Sequence, residues 1–296
     1  LIWFESYLKG RSLRVQIGDA LSDVISVTSS VVQGSHCGPI LFSIFINDIA
    51  DILDVDFNSY ADDIKLFWEI NSTKDCERLQ KSLERLSKFS IDNHLSLNIS
   101  KCFVVSFTKR LKRFICHDYR IGGLILERQN ETKDLGVTFD GTCSFNSHID
   151  NICRRSKRSL GFVLRNSKDF VNTKTVVTLY SSLVKSLLEY ASPIWSPTSK
   201  ARINQIESVQ HKFLRFMARK YFGDLNDSID YKLYERKLKL QSLELRRAIT
   251  DVKTTIKSFN GEIDSFTFLQ HFSFSVPRLR SRQRQVFQTS PNSTIF

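Results

Sequence analysis

The chain has 296 residues, 41% hydrophobic and 25% charged, which fits a globular protein with room for two domains. No run of about 18 apolar residues occurs, and the start LIWFESYLKGRSLRV lacks the layout of a secretion signal, so an intracellular protein without a membrane helix is expected. The net charge of +12 is uneven: residues 1–145 carry 17 Lys/Arg against 19 Asp/Glu, and residues 146–296 carry 26 against 12. A basic second half points to nucleic acid or another acidic partner, or simply to a basic soluble domain. The chain begins with Leu and is expected to be cut from a longer reading frame.

Residues 1–10 have helical spacing, and 12–27 suggest a strand pair around the Gly18-Asp19 turn signal. VVQGSHCGP (31–39) is a loop leading into the helix ILFSIFINDIADIL. DVDFNSYADDIKLFWEI (54–70) predicts strand, tight turn, strand. The next helix is amphipathic, with Ser72 or Thr73 as cap and Leu79, Leu83 and Leu86 on one face. LSLNISKCFVVSF and GVTFD are strand-like. From about 146 the pattern is helical, over 147–168, 172–190, 200–221 and 228–258, and SRQRQVFQTSPNSTIF reads as a flexible basic tail. The expected class is α+β, with a boundary between 140 and 150.

Asp62 and Asp63 are the first chemical candidates. Adjacent carboxylates repel, and a bound cation offsets that repulsion. Mg²⁺ is commonly held by one or two carboxylates, waters and substrate phosphates. The alternative is an ordinary Asx-rich turn. In the loop before the first long helix, Gly34 and Gly38 allow close backbone approach, and Gln33 can both donate and accept. Ser35 as cap and Pro39 in the first turn would make the same loop a plain helix entry. Cys143, His148 and Cys153 could be imagined around zinc, but no C-x-x-C occurs and free thiols are the better reading. Tyr190 and Trp195 in EYASPIWSP either stack on nucleic acid or anchor helix ends. CRRSKRSLGFVLR and HKFLRFMARK place basic and apolar residues on opposite helix faces, for phosphate or for water.

The order SVVQGSHCGPILFSIFIND, YADD, LSLNISK, KDLGVTFD with a following His148-Ile149, LYSSLVKSLLEYASPIWSP, IESVQHKFLRF and SLELRR resembles the reverse transcriptases of non-LTR, jockey-like retrotransposons. The resemblance covers nearly the whole chain. It implies an N-terminally truncated polymerase palm over 1–145, an antiparallel sheet with helices on one face. A helical thumb and C-terminal extension would follow over 146–296. Asp62 and Asp63 would hold Mg²⁺ or Mn²⁺ for two-metal nucleotidyl transfer. Gln33, Gly34 and Tyr60 would contact the incoming deoxynucleoside triphosphate and templating base. Lys101 would act near the leaving pyrophosphate, its alternative being a surface lysine. Leu135, Gly136 and Val137 would position the primer end. Implied partners are an RNA template, a DNA primer, their RNA–DNA hybrid and the rest of the retrotransposon polyprotein.

This sequence departs from the family pattern in ways that matter. The block holding the family's first catalytic aspartate is not in this chain, so it is expected to be inactive alone. A non-catalytic nucleic-acid-binding remnant and a co-opted host protein are the rival readings. Ser30 stands where the family usually has Gly, Val32 where it has Pro, and Cys37 where it has Leu. If Ser30 takes positive φ, it carries strain of roughly 1–2 kcal/mol.

Overall fold

The computed structural model describes residues 2–108, 115–226, 228–263, 266–270, 272–274 and 287–288. Most of the tail from 281 onward, expected to be flexible, lies outside the described residues. The described residues up to Val104, with 115–128, form one compact unit; Val105–Thr108 and the described residues from Gln129 onward form another.

The first unit opens with α1 (Ile2–Leu8) and two nested ladders. The inner hairpin pairs β2 (Gln16–Ile17) with β3 (Ala20–Leu21) across Gly18-Asp19, and outside it β1 (Arg11–Leu13) pairs with β4 (Ile25–Val27). Ser30 follows with φ +72°, the left-handed region in which a serine side chain is strained. Arg11 holds this bend, its guanidinium donating to the carbonyls of Ser29 and Ser30. α2 (Cys37–Ile46) starts as the helix-entry reading predicts: Ser35 Oγ accepts from Gly38 N at 3.0 Å, and Tyr7 Oη donates to the same oxygen. α3 (Ile49–Ile52) is one turn long.

β5 (Asp56–Tyr60) and β6 (Asp63–Phe67) form a hairpin. α4 (Thr73–Asp92) begins with a capping box between Ser72 and Asp75. Its inner face buries Cys76 and Leu86, and Leu79 and Leu83 pack on a small core of Cys76, Tyr119, Ile121 and Leu126. LSLNISK is not a continuous strand: Ile99–Lys101 form a 3₁₀ turn before β7 (Phe103–Val105). The short strands β8 (Arg120–Ile121) and β9 (Leu124–Ile125) make another hairpin, and β10 (Glu127–Gln129) follows. Instead of the single antiparallel sheet expected, the strands among the described residues pair as separate two-stranded ladders. Ladders of two to five residues leave few backbone groups for a third strand to pair with.

The second unit begins with the hairpin β11 (Glu131–Asp134) and β12 (Val137–Asp140), which packs on α5 (Asn146–Asn166). Ile149, Ile152, Cys153, Leu160 and Val163 line the buried face of α5 at helical spacing. α6 (Thr173–Tyr180), a π turn over Ser181–Lys185 and α7 (Ser186–Glu189) make up the predicted 172–190 helix. After α8 (Ser192–Trp195), the long α9 (Lys200–Phe222) buries Ile206, Val209, Phe213, Leu214 and Met217. Tyr180 stacks on Phe213 at 4.0 Å within this core. The expected single helix over 228–258 is instead two. α10 (Tyr231–Leu238) ends at Lys239 with φ +54°, and α11 (Leu243–Phe259) restarts with Ser242 accepting from Leu245 N. A left-handed residue cannot continue a right-handed helix, and the serine cap satisfies a donor of the new first turn. α12 (Phe266–Leu269), β13 (Ser273–Phe274) and β14 (Phe287–Gln288) complete the described elements.

All six cysteines are free, and burial above all pushes the Cys153 thiol up to about 11, so it stays protonated near neutrality. Among the described residues no three His, Cys, Asp or Glu side chains come together as a metal site, which removes the zinc reading for Cys143, His148 and Cys153. No helix among the described residues is long and apolar enough to cross a membrane.

Candidate active site

The β5–β6 hairpin has the shortest practical loop: Tyr60 pairs with Asp63, leaving Ala61 and Asp62 as the two turn residues. Such loops need positive φ, a place where glycine is usual. Here Ala61 takes it, at φ +52°. An alanine in that conformation costs roughly 1–2 kcal/mol, which the ladder on both sides must offset. The consequence is positional. Asp62 sits at the apex and Asp63 opens the returning strand; both are exposed, as is Tyr60 at 63%. Two carboxylates with water and phosphate oxygens are suitable donors for a hard divalent cation, so the residues fit Mg²⁺ or Mn²⁺. Among the described residues no third acidic or ligating side chain joins them.

The other candidates fall into separate places. Gln33 and Gly34 lie exposed in the loop before α2, and Gly34 has φ +78°. A Cβ at Gly34 would meet nothing within 4 Å, so its backbone is open to a ligand. Lys101 is exposed at the end of the 3₁₀ turn. Among the described residues, no hydrogen bond or ion pair joins these three groups to one another.

Leu135, Gly136 and Val137 belong to the second unit and divide by exposure. Leu135 (φ +43°) and Gly136 (φ +90°) are the exposed turn residues of the β11–β12 hairpin, whereas Val137 is 2% exposed and sits in the core. Val137 therefore anchors the turn, and only its two neighbours can meet a ligand.

One feature lay outside the sequence reading: Asp140, at the end of β12. Its carboxylate accepts from the backbone N–H groups of Thr142, Ser144 and Phe145 and from both hydroxyls of Thr142 and Ser144, fixing the entry to α5. Burial alone would raise its pKa, but the hydrogen bonds from Thr142 and Ser144 outweigh that and hold the carboxyl well below the usual range. The pattern Asp-Gly-Thr-x-Ser was the available signal. Asp140→Ala is expected to lower stability by about 2 kcal/mol, the scale of lost hydrogen bonds to a charged group. Since the folded pKa lies below the unfolded value of about 3.9, the stabilisation is present above that pH and lost as pH falls below it. Urea unfolding at pH 7 and pH 3 checks both: the wild type should lose more stability on acidification than the variant.

The outer face of α5 carries the basic residues that the sequence placed opposite its apolar face. Arg154, Arg158 and Arg165 are exposed and share one stripe, with Phe162 between them at 55% exposure. The basic and apolar letters of CRRSKRSLGFVLR are thus sorted by helical geometry, except for this one outward phenylalanine.

Residues 2–139 match the family model for reverse transcriptase (RNA-dependent DNA polymerase). Over these residues the chain is similar to reverse transcriptases, and two relatives from Drosophila mobile elements show the same likeness. It is 28% identical over 225 residues to the RNA-directed DNA polymerase from mobile element jockey of Drosophila funebris, covering 71% of this chain and 24% of that protein. It is 27% identical over 222 residues to the probable RNA-directed DNA polymerase from transposon BS of Drosophila melanogaster, with 71% and 24% covered. The chain thus spans about a quarter of the length of the curated relatives it matches. No solved structure matches it significantly. The reverse transcriptase match contains the YADD hairpin, the Gln33–Gly34 loop and the Leu135–Gly136 turn.

Proposed function

We propose that the chain is the later palm (1–145) and the thumb with its extension (146–296) of a retrotransposon RNA-directed DNA polymerase. The observation that carries the reading is the hairpin tip, where a strained alanine precedes Asp62 at the apex and Asp63 at the start of the returning strand, both exposed. Strain of this kind persists where the surrounding structure enforces it, and it clusters at functional sites. In the reaction, the 3′-hydroxyl of a DNA primer on an RNA template attacks the α-phosphate of a deoxynucleoside triphosphate, and pyrophosphate leaves. Asp62 and Asp63 would hold the divalent cation, which when bound neutralises phosphate charge and activates the attacking oxygen. Gln33 offers a donor and an acceptor to the nucleotide or template base, and Gly34 lets the backbone approach. Lys101 would place a cation near the departing pyrophosphate. Arg154, Arg158 and Arg165 would meet the phosphates of the hybrid, which offers mainly backbone and shape to a protein.

A second reading follows from the missing third ligand among the described residues. Two carboxylates hold an ion weakly, so the isolated chain is proposed to bind an RNA–DNA hybrid with little or no synthesis. Primer extension with Mg²⁺, comparing wild type with Asp62→Asn, separates the readings. Near-background extension by both supports a binding fragment. Robust synthesis by the wild type, abolished in the variant, would overturn the claim of inactivity and support the catalytic role of Asp62.

A further inference from the structure

The β11–β12 turn puts an ill-suited residue in the conformation that its two-residue loop demands. A two-residue turn with positive φ at both positions favours Asn-Gly or Gly-Gly, yet the first position here is Leu135. A bulky residue at positive φ is an outlier that something must enforce. The neighbouring element supplies that constraint. Tyr190, just past the end of α7, donates its hydroxyl to the Leu135 carbonyl at 2.8 Å. Its ring lies so close that a Cβ at Gly136 would come within 3.2 Å of Tyr190 Cε1. Glycine is therefore required at 136 twice over, by φ +90° and by the ring.

Tyr190 is itself held from both sides. Its N–H donates to Ser186 O at 3.1 Å, and its carbonyl accepts from Trp195 Nε1 at 2.8 Å. Trp195 is 1% exposed and packs against His148 at 5.3 Å between ring centres. His148 in turn accepts at Nδ1 from Thr138 N, one residue beyond Val137. Burial above all, and then Arg155, lower its pKa, which favours the neutral imidazole that can accept there. The chain of contacts thus leaves β12, passes through His148, Trp195 and Tyr190, and returns to the turn at Leu135.

We infer that Tyr190 is a positioning residue that holds the Leu135–Gly136 turn in its strained shape for the end of a DNA primer. The inference rests on the proposed polymerase reading for the primer, and on geometry alone for the brace. Leu135 and Tyr190 are both exposed, at 50% and 57%, so the braced turn is open to a ligand. The hydroxyl is the part that matters, because the ring alone cannot fix the carbonyl.

The test uses the full chain and Tyr190→Phe, which keeps the ring. Amide hydrogen exchange is followed across 134–138, and melting temperature is measured alongside. Affinities are compared for an RNA–DNA hybrid with a recessed DNA 3′ end and for the same hybrid with blunt ends. The variant should melt within a few degrees of wild type, exchange faster at the turn, and lose about fivefold in the recessed-to-blunt ratio, the factor carried by a hydrogen bond of ordinary net strength. Unchanged exchange at the turn overturns the brace. Faster exchange with an unchanged ratio overturns the positioning role. Faster exchange in a chain whose wild type shows no preference for recessed ends supports the brace and overturns the primer-end reading itself.

Discussion

Reversing the charge of Arg154, Arg158 and Arg165 together to glutamate is expected to weaken binding to an RNA–DNA hybrid by about 100-fold or more at 0.1 M salt. Each phosphate neutralised by a basic side chain contributes through counterion release, so losing three contacts should flatten the dependence of log K on log salt by roughly two to three units. Added carboxylates also repel the backbone, which makes reversal harsher than truncation. The fold should tolerate the change, because all three side chains are exposed on the outer stripe of α5 while Ile149, Ile152, Leu160 and Val163 hold its inner face. Fluorescence anisotropy at several salt concentrations measures both quantities. Binding that persists with an unchanged salt slope would remove α5 from the hybrid interface.

The largest loss of stability is expected from Trp195→Ala, at about 4 kcal/mol, the range found when a buried aromatic is truncated to alanine. Trp195 is among the largest fully buried side chains of the second unit. Its removal opens a void beside His148 and deletes the Nε1 hydrogen bond to the Tyr190 carbonyl. A unit of this size should melt about 10 °C lower. Trp195→Phe should restore much of the packing and none of the hydrogen bond, so it falls between the two. A thermal shift of less than 2 °C for Trp195→Ala would mean that the core around α8 contributes little. The same variant should speed exchange at the Leu135–Gly136 turn, because Tyr190 loses the partner of its carbonyl.

The legible parts of the chain were those governed by local rules. The Gly18-Asp19 hairpin, the capping box at Ser72 and the amphipathic face of α5 depend on residues within a few positions of one another, and they formed where their letters lay. The tight turn at YADD was also local, since two strands with two residues between them allow little else. What failed was longer in range. The helix over 228–258 broke at Lys239 because the packing of α10 and α11 on α9 requires a change of direction that the hydrophobic spacing did not mark. The expected sheet resolved into short ladders because pairing beyond a hairpin depends on contacts distant in sequence.

The candidate site divides along the same line. The sequence alone determined the identity and order of the chemical groups: two adjacent carboxylates, a Gln-Gly loop, a lysine, a Leu-Gly turn and a basic second half. It also determined that Ser30 would be strained if its φ were positive, and it is, at +72°. Only the tertiary structure decided that Val137 is buried while Leu135 is exposed, and that Tyr190 reaches 55 residues back to hold that turn. The reason is physical. Residue types and local spacing set which conformations are cheap, whereas exposure and long-range hydrogen bonds arise only when distant segments pack and exclude water from one another.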